Sequence, residues 1–335
     1  MKKTIAMLLA LTMVLALAAC GSSAPAAQEY KLGMGISLNM DSSDTNNAQV
    51  DATVAAVVLD KDNKIVACQI DCAQNKMDVT DGAVDAAASF LSKYEKGDDY
   101  NMVKFSDATL EWYQQADNFE QYCIGKTADE ILGIATTIND EGHTVATDET
   151  LYASVSISIS DFQEAVAKAC NDEQGMSFTT GDAFTLGLAI NSTADESTAA
   201  TADADGVVKM YSEFGAVVLG ADGKILAALT DATQPQITIN TAGEIVETKF
   251  NGTKRELKED YNMVAYSSAT REWYEQAASF VEYAVGKTPA ELQGTETTLN
   301  DEGHQVVTDE TLYASVSISV DGMINVLVKA AGNAK

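Results

Sequence analysis

The sequence predicts an α+β fold made of two homologous domains, each a mainly antiparallel sheet with two or three helices. Three observations support this prediction. The 335-residue chain repeats itself, because Asp99–Ile159 and Asp260–Val320 align without a gap at an offset of 161 and share 40 of 61 residues. Apolar runs in both copies flank short Asp/Asn/Gly turns, which is typical of hairpins. Apolar residues at helical spacing follow in both copies.

Each copy opens with a strand and then a hairpin. The first strands are predicted at Tyr30–Ile36 and Phe184–Ile190. Short runs on either side of a turn predict the hairpins that follow. These hairpins pair Val54–Leu59 with Lys64–Asp71, and Ala216–Leu219 with Lys224–Asp231.

A second hairpin is clear in the second copy only. Gln236–Asn240 and Glu244–Phe250 flank a turn that contains Gly243. The corresponding Ala83–Phe90 is rich in alanine, which taken alone favours a helix. Because both copies share the glycine and the final Phe, we predict that this segment is extended in both.

An amphipathic helix is the clearest element of each copy. Trp112, Ala116, Phe119 and Cys123 recur at helical spacing, and their counterparts in the second copy do the same. Capping residues then predict where this helix begins and ends, and where a short helix follows. The predicted caps are Ser106 and Ser267 at the start, Gly125 and Gly286 at the end, and Thr127 and Thr288 for the short helix.

A nearly identical block follows these helices. Asn139–Ser158 and Asn300–Ser319 differ at two of twenty positions. Within this block, Ala153–Ile159 alternates apolar residues with serines, which predicts a half-buried strand. Asp161 and Asp321 are the predicted N-caps of a final amphipathic helix.

The first residues have the character of an export signal. Lys2 and Lys3 precede an apolar stretch that is too short for a comfortable membrane span. The sequence Leu-Ala-Ala-Cys that ends at Cys20 resembles the lipobox of bacterial lipoproteins, which implies a lipidated Cys20 and a location on the extracytoplasmic face of the cell membrane. We therefore divide the chain into a signal peptide (1–19), a lipidated tether (20–29), a first domain (30–170), a linker (171–183) and a second domain (184–335).

The chain is strongly acidic. It has 21 basic and 50 acidic residues, and loss of the two leader lysines takes its net charge from −29 to −31. Such a surface repels nucleic acid and anionic lipid, so we expect no nucleic-acid partner and a membrane contact through the lipid anchor alone.

The cysteines other than Cys20 all lie in the first copy. Alanine replaces each of them in the second copy, which indicates small, buried positions rather than shared thiol chemistry. Because disulfides form in exported proteins, one or two disulfide bonds among these cysteines are an alternative that the sequence leaves open. The pairs are Cys68 and Ala228, Cys72 and Ala232, Cys123 and Ala284, and Cys170 and Ala331.

His143 and His304 are the only histidines, and they are equivalent. Each is either a metal ligand or general base, or a polar residue at a strand entrance. A single His per domain without a Cys pair is a poor zinc site, so we favour the second interpretation and predict no metal. No catalytic fingerprint is present, and we predict no catalytic residues.

Residues retained in both copies give the candidate ligand-binding set. Trp112 and Trp273 lie on the apolar stripe and are predicted to be core residues. The candidates are the tyrosine next to each Trp, the tyrosine that precedes each of these helices, and four residues of each nearly identical block. They are Tyr100, Tyr113, His143, Asp148, Tyr152 and Ser154, with Tyr261, Tyr274, His304, Asp309, Tyr313 and Ser315 in the second copy.

The end of each repeat resembles the FMN-binding domain of bacterial surface flavoproteins. In that family a Ser/Thr-Gly-Ala-Thr segment carries the flavin as a phosphoester on Thr. Here Asp148, Ala153 and Ser154 take the Asp, Ala and Thr places, while Tyr152 stands at the Gly place and Leu151 at the Ser/Thr place. The resemblance implies FMN as a possible cofactor. The overall layout is also similar to tandem-domain lipoproteins of unknown role from anaerobic Gram-positive bacteria.

These observations together predict a membrane-anchored, extracytoplasmic lipoprotein that acts as a non-enzymatic binding module for an unidentified ligand. Two alternatives stay open. One is a flavin-binding protein of extracellular electron transfer, and the other is a structural or adhesive surface protein.

Overall fold

The computed structural model describes residues 26–335, so the predicted signal peptide, the lipobox and Cys20 lie outside the described part of the chain. Twelve α-helices and fourteen strands are found there, together with three short 3-10 turns. None of the helices in residues 26–335 is long and apolar enough to cross a membrane.

The strands follow the duplication of the sequence. They are β1 (Gln28–Asn39), β2 (Asn47–Leu59), β3 (Ile65–Asp78), β4 (Thr136–Ile138), β5 (Thr144–Ala146), β6 (Met176–Thr180), β7 (Phe184–Thr193), β8 (Gly206–Lys209), β9 (Tyr211–Gly220), β10 (Ile225–Thr233), β11 (Gln236–Ile239), β12 (Ile245–Lys249), β13 (Thr297–Leu299) and β14 (Gln305–Val307).

Two helices of each repeat have three turns, and the others are short. They are α1 (Lys93–Lys96), α2 (Met102–Phe105), α3 (Trp112–Cys123), α4 (Ala128–Leu132), α5 (Glu149–Tyr152), α6 (Ser160–Cys170), α7 (Lys254–Leu257), α8 (Met263–Tyr266), α9 (Trp273–Ala284), α10 (Pro289–Gln293), α11 (Glu310–Tyr313) and α12 (Asp321–Gly332).

Two antiparallel sheets form the centre of the molecule. The first has the strand order β3-β2-β1-β6, and the second has the order β10-β9-β7. A smaller sheet, β12-β11-β8, and the hairpins β4-β5 and β13-β14 complete the strands. The α+β class predicted from the sequence is confirmed.

Both faces of each central sheet are buried. On β2, Val57 and Leu59 pack against the helices of the first repeat. Val54 and Val58, which point the opposite way, pack against the second sheet, for example on Phe214 of β9. The layers are therefore helix, sheet, sheet, helix, and this explains why the strands are almost continuously apolar rather than alternating.

Two equivalent glycines bring a helix close to each sheet. A Cβ on Gly33 would lie 2.0 Å from the carbonyl oxygen of Ala169 in α6. A Cβ on Gly187 would lie 2.0 Å from that of Ala330 in α12. Any side chain at these positions would push the final helix off the sheet.

Residues 171–183, the predicted linker, contain strand β6. This strand pairs with β1, with Tyr30 opposite Phe178. Strand β1 itself begins at Gln28, inside the predicted tether.

Several local predictions were wrong. Ala83–Phe90 contains no strand, whereas its counterpart forms β11 and β12 as predicted. The helix predicted to start at Ser106 begins at Trp112, where Glu111 forms the capping box with Gln114. Ser106 instead follows the end of α2 and donates to the carbonyl oxygen of Met102, the first residue of that helix. The same arrangement occurs at Ser267.

The predicted strand Ala153–Ile159 is also wrong, and so are the final N-caps. The residues from Ala153 to Ile159 are irregular, and Val155 and Ile159 are nevertheless fully buried. Helix α6 already begins at Ser160, and α12 begins at Asp321, so Asp161 and Asp321 lie in the first helical turn.

Buried glutamines explain the irregular segment. The Oε1 of Gln115 accepts hydrogen bonds from the backbone N–H groups of Ser156 (2.8 Å) and Ile157 (3.2 Å). Gln276 accepts equally from Ser317 at 2.8 Å. Because a side-chain amide satisfies these donors, the segment needs no partner strand.

The four cysteines of the first repeat are buried in its helix–sheet core, and all four are free in the described structure. Burial raises the pKa of the Cys72 thiol to about 11 and that of Cys170 to about 12.

Candidate functional site

Each repeat contains a pocket between its second short helix, its third helix and the nearly identical block. The first pocket has a volume of about 720 Å³ and the second about 470 Å³. Equivalent residues line both. In the first pocket these include Lys93, Tyr100, Met102, Ser106, Trp112, His143, Tyr152, Ser156 and Ser158. Their counterparts in the second are Lys254, Tyr261, Met263, Ser267, Trp273, His304, Tyr313, Ser317 and Ser319.

The structure brings half of the candidate residues predicted from the sequence into these pockets. Tyr100, His143 and Tyr152 line the first pocket. The equivalent second-pocket residues are Tyr261, His304 and Tyr313. The Tyr100 hydroxyl donates to Gln74 at 3.2 Å, which fixes the ring at the pocket wall.

The other candidates have structural contacts. The Tyr113 hydroxyl donates to Asp98, and that of Tyr274 donates to Glu259. Asp148 and Asp309 cap helices α5 and α11 by accepting from Leu151 and Leu312 at 2.8 Å. The hydroxyls of Ser154 and Ser315 donate to the backbone carbonyl oxygens of the same two leucines.

The histidines lie at the rim. The side chain of His143 is 55 % exposed, and its Nε2 lies 3.9 Å from Glu141. His304 has the same relation to Glu302 at 4.0 Å. Within residues 26–335 no group of three potential ligands could hold a metal ion.

A glutamate holds the loop that forms one wall of each pocket. The carboxylate of Glu111 accepts from the backbone N–H groups of Met102 (2.7 Å) and Val103 (3.2 Å). Glu272 does the same for Met263 at 2.8 Å. Asn101 begins this loop with a left-handed φ of 57°, a conformation that asparagine tolerates better than most residues.

Sequence reasoning missed a lysine in each pocket. Lys93 lies 5.3 Å from the ring centre of Tyr100 and 5.4 Å from that of Trp112. Lys254 lies 5.1 Å from both Tyr261 and Trp273. Such distances allow cation–π attraction. The signal was present, since Ser92-Lys93-Tyr94-Glu95 and Thr253-Lys254-Arg255-Glu256 are matching capping boxes.

A buried carboxylate holds each lysine-bearing turn. Asp71 accepts from the N–H of Tyr94, and Asp231 accepts from that of Arg255, both at 3.0 Å. Burial raises the pKa of each of these carboxyls to about 6. Lys254 is itself only 7 % exposed, and burial lowers its pKa to about 8 although Glu213 acts against this.

A carboxylate missed by sequence reasoning also lines each pocket. It is Asp161 in the first and Glu213 in the second. Burial raises the pKa of both groups. Each pocket thus combines one lysine, one half-buried carboxylate, exposed acidic residues at the rim, aromatic rings and several hydroxyls. Such a set can bind a small polar molecule with an apolar part.

Another cavity, of about 750 Å³, includes Asp309 in its wall and occurs in the second repeat. Thr295 and Glu296 line it, whereas the first repeat has Ile134 and Ala135 at these positions. Its chemistry is therefore not shared between the copies.

Comparisons with protein families, with curated proteins and with solved structures found no match for this chain.

Proposed function

We propose that this protein is a lipid-anchored, extracytoplasmic binding protein that holds one small ligand in each of two equivalent pockets. The observation that carries the proposal is the position of the nearly identical block, which contributes His143, Tyr152, Ser156 and Ser158 to the first pocket. The copies have diverged elsewhere, so a fold requirement alone does not account for twenty residues with two differences.

The size and lining of the pockets support small-molecule binding. Volumes of about 470 and 720 Å³ lie in the range of ligand sites. Trp112 and Tyr100 supply apolar surface, and the lysine and the serines supply directional polar groups. Such a mixture holds one ligand in one orientation.

The anchoring part of the proposal rests on the leader and on Cys20. Acyl chains on that cysteine would hold the protein stably at the membrane. Because β1 begins at Gln28, only a few residues would separate the lipid from the folded part.

A thermal-shift screen of the full-length chain tests the proposal, with free amino acids, sugars, nucleosides, metal ions and flavins as probes. Thr109 and Thr270 are exposed at the pocket rims, so Thr109→Trp and Thr270→Trp should fill the pockets without disturbing the core. We expect a probe to raise the melting temperature of the wild type, and the double variant to lose that shift. Thr201→Trp, which is exposed and lines neither pocket, is the control. A shift that persists in the rim double variant would contradict pocket binding.

Flavin binding is the second candidate function. Ala153 and Ala314, which correspond to the Ala of the flavoprotein segment, line the two pockets. The hydroxyls of Ser154 and Ser315 face backbone carbonyls at 3.2 and 3.0 Å, which favours non-covalent over covalent attachment. The visible absorption spectrum of the full chain from its native host is the test, and a colourless, flavin-free protein would exclude this function.

A further inference from the structure

The lysine of each pocket has no carboxylate partner within ion-pair distance among the described residues. Neither Lys93 nor Lys254 forms a salt bridge there, whereas Lys168, Lys329 and Lys335 do. The one polar contact of Lys254 is a long one of 3.4 Å to the Tyr211 hydroxyl. Lys254 is a buried ammonium without a close anion, which is costly to the protein alone and is a common feature of sites where a ligand supplies the anion.

The carboxylate of each pocket is retained although its position in the sequence changes. Asp161 supplies it in the first repeat, and the equivalent residue of the second repeat is Gly322. Glu213 supplies it in the second repeat. The equivalent residue of the first repeat is Thr53, because Glu213 lies opposite Ala232 and Thr53 lies opposite Cys72, and Ala232 and Cys72 are equivalent.

The two carboxylates occupy the same place in space. A Cβ built on Gly322 would lie 2.2 Å from both carboxylate oxygens of Glu213. The Glu213 carboxylate therefore fills the volume into which a side chain at position 322 would extend. A negative group has been kept at this place by two different residues, which a purely structural role would not require.

We infer that each pocket binds a zwitterionic small molecule of the amino-acid class. This inference rests on the proposed function and names its ligand. The ammonium of Lys93 or Lys254 binds the ligand's carboxylate, and the carboxylate of Asp161 or Glu213 binds the ligand's amino group. The aromatic rings of Trp112 and Tyr100, or Trp273 and Tyr261, contact its side chain.

A zwitterion fits better than a simple anion or cation. An anion bound to Lys93 would lie near the negative charge of Asp161, and a cation bound to Asp161 would lie near Lys93. A molecule with both charges satisfies both groups, and charge-assisted hydrogen bonds at two points fix its orientation. The other polar contacts of Asp161 are long, with Ser37 and Asn39 at 3.5 Å, so it keeps capacity to accept.

Calorimetric titration of the full-length chain with the proteinogenic amino acids, their amides and their N-acetyl forms tests the inference. We expect the free zwitterion to bind, and the amide and the N-acetyl form to bind roughly tenfold or more weakly, since each loses one charged contact. Lys93→Met with Lys254→Met should weaken binding by a similar factor. Lys249→Met, at an exposed position outside both pockets, should not.

A charge transplant gives the sharpest comparison. In the background of Thr270→Trp, which closes the second pocket, Asp161→Gly should abolish binding to the first. Adding Thr53→Glu reproduces the arrangement of the second repeat and should restore binding. The reciprocal experiment uses a Thr109→Trp background, which closes the first pocket. There Glu213→Thr should abolish binding to the second pocket, and adding Gly322→Asp should restore it. Circular dichroism melting confirms that each variant folds.

The outcomes separate the inference from the proposed function. Zwitterion binding that is lost and restored in this pattern supports both. Equal affinity for the amide and N-acetyl forms, or binding of non-zwitterionic probes alone, overturns the inference and leaves the binding function standing. If the wild type binds no probe in the thermal-shift screen and no compound in the calorimetric titration, the inference and the proposed function are both overturned.

Discussion

Arg255 of the second repeat lies 3.0 Å from the carboxylate of Asp172, which closely follows the last helix of the first repeat, and both side chains are 8 % exposed. Asp172 also accepts from the backbone N–H of Met34 in β1 at 3.1 Å. The pair therefore ties the lysine-bearing turn of the second pocket to the first sheet. The repeats are joined by buried polar contacts as well as by the apolar contact between their sheets.

Two further ion pairs across the repeats follow the duplication. Lys329 lies 2.7 Å from Glu95, and Lys168 lies 3.2 Å from Glu256. Lys329 is the counterpart of Lys168 at the offset of 161, and Glu256 is the counterpart of Glu95. Each pair is therefore the copy of the other with the repeats exchanged, so the two halves are related by an approximate twofold arrangement. Both glutamates belong to the capping boxes that carry the pocket lysines.

Removal of the buried arginine should destabilise the whole protein. We expect Arg255→Met to lower the free energy of unfolding by about 3–5 kcal/mol, because the Asp172 carboxylate would remain buried without its partner. Urea denaturation followed by circular dichroism measures this change. Lys258→Met is the matched control, since Lys258 pairs with the exposed Glu173 and should contribute less than about 1 kcal/mol. Equal effects of the two substitutions would contradict this role for the buried pair.

A methyl group at the helix–sheet contact should also destabilise the fold. Gly187→Ala places a Cβ 2.0 Å from the Ala330 carbonyl oxygen, so α12 must move. We expect a loss of about 1–3 kcal/mol or more in the free energy of unfolding. Gly332→Ala, at the end of the same helix, has no neighbour within 4 Å and should be neutral or slightly stabilising. Thermal melts of both variants decide the question.

The sequence was sufficient to predict an element where a local pattern determines the structure. It was insufficient where a side chain distant in the sequence determines it. The stripe through Trp112 predicted α3, because helix periodicity is local. The alternation in Ala153–Ile159 suggested a strand, but the distant Gln115 satisfies its backbone donors instead. Lys93 and Asp161 were missed as site residues for the same reason. Only the tertiary fold brings a capping box, a helix start and the block around one cavity.

Stability should rise when the pH is lowered from neutral. Burial raises the pKa of Asp71 and Asp231 to about 6, whereas an unfolded Asp has a pKa of about 4. Between these values the folded protein binds more protons than the unfolded chain, so the free energy of unfolding falls as the pH rises through this window. The effect should be at most about 3 kcal/mol per carboxyl.

Urea midpoints at pH values across this window measure the effect. Asp71→Asn with Asp231→Asn keeps an oxygen that can accept from Tyr94 and Arg255, and it should flatten the profile. Asp62→Asn, at an exposed turn, should leave the slope unchanged. A profile that keeps its slope in the double variant would assign the pH dependence to other groups, first of all Glu120, whose pKa burial raises to about 7.

The cysteines of the first repeat should be unreactive until the protein unfolds. All four are buried, and burial raises the pKa of Cys72 and Cys170 to about 11 and 12, so little thiolate forms at neutral pH. Iodoacetamide labelling with peptide mass spectrometry should find these positions unmodified in buffer and modified in denaturant. Cys68→Ala and Cys123→Ala should each lower the free energy of unfolding by only about 1 kcal/mol, since alanine fills the equivalent places of the second repeat. Rapid labelling of the native chain would show that this core opens readily.

The buried glutamine of each repeat should couple stability to ligand binding. Gln115→Ala removes the acceptor for Ser156 and Ile157 and the donor to the Leu110 carbonyl (3.0 Å), which leaves buried polar groups unpaired. We expect a loss of about 2–4 kcal/mol in the free energy of unfolding. Gln121→Ala, on the exposed face of the same helix, should change stability by less than about 0.5 kcal/mol. Because Ser156 and Ile157 line the first pocket, the Gln115 variant should also weaken binding there while the second pocket keeps its affinity. Titration in the Thr270→Trp and Thr109→Trp backgrounds reads each pocket separately, and equal weakening of both would contradict a local effect.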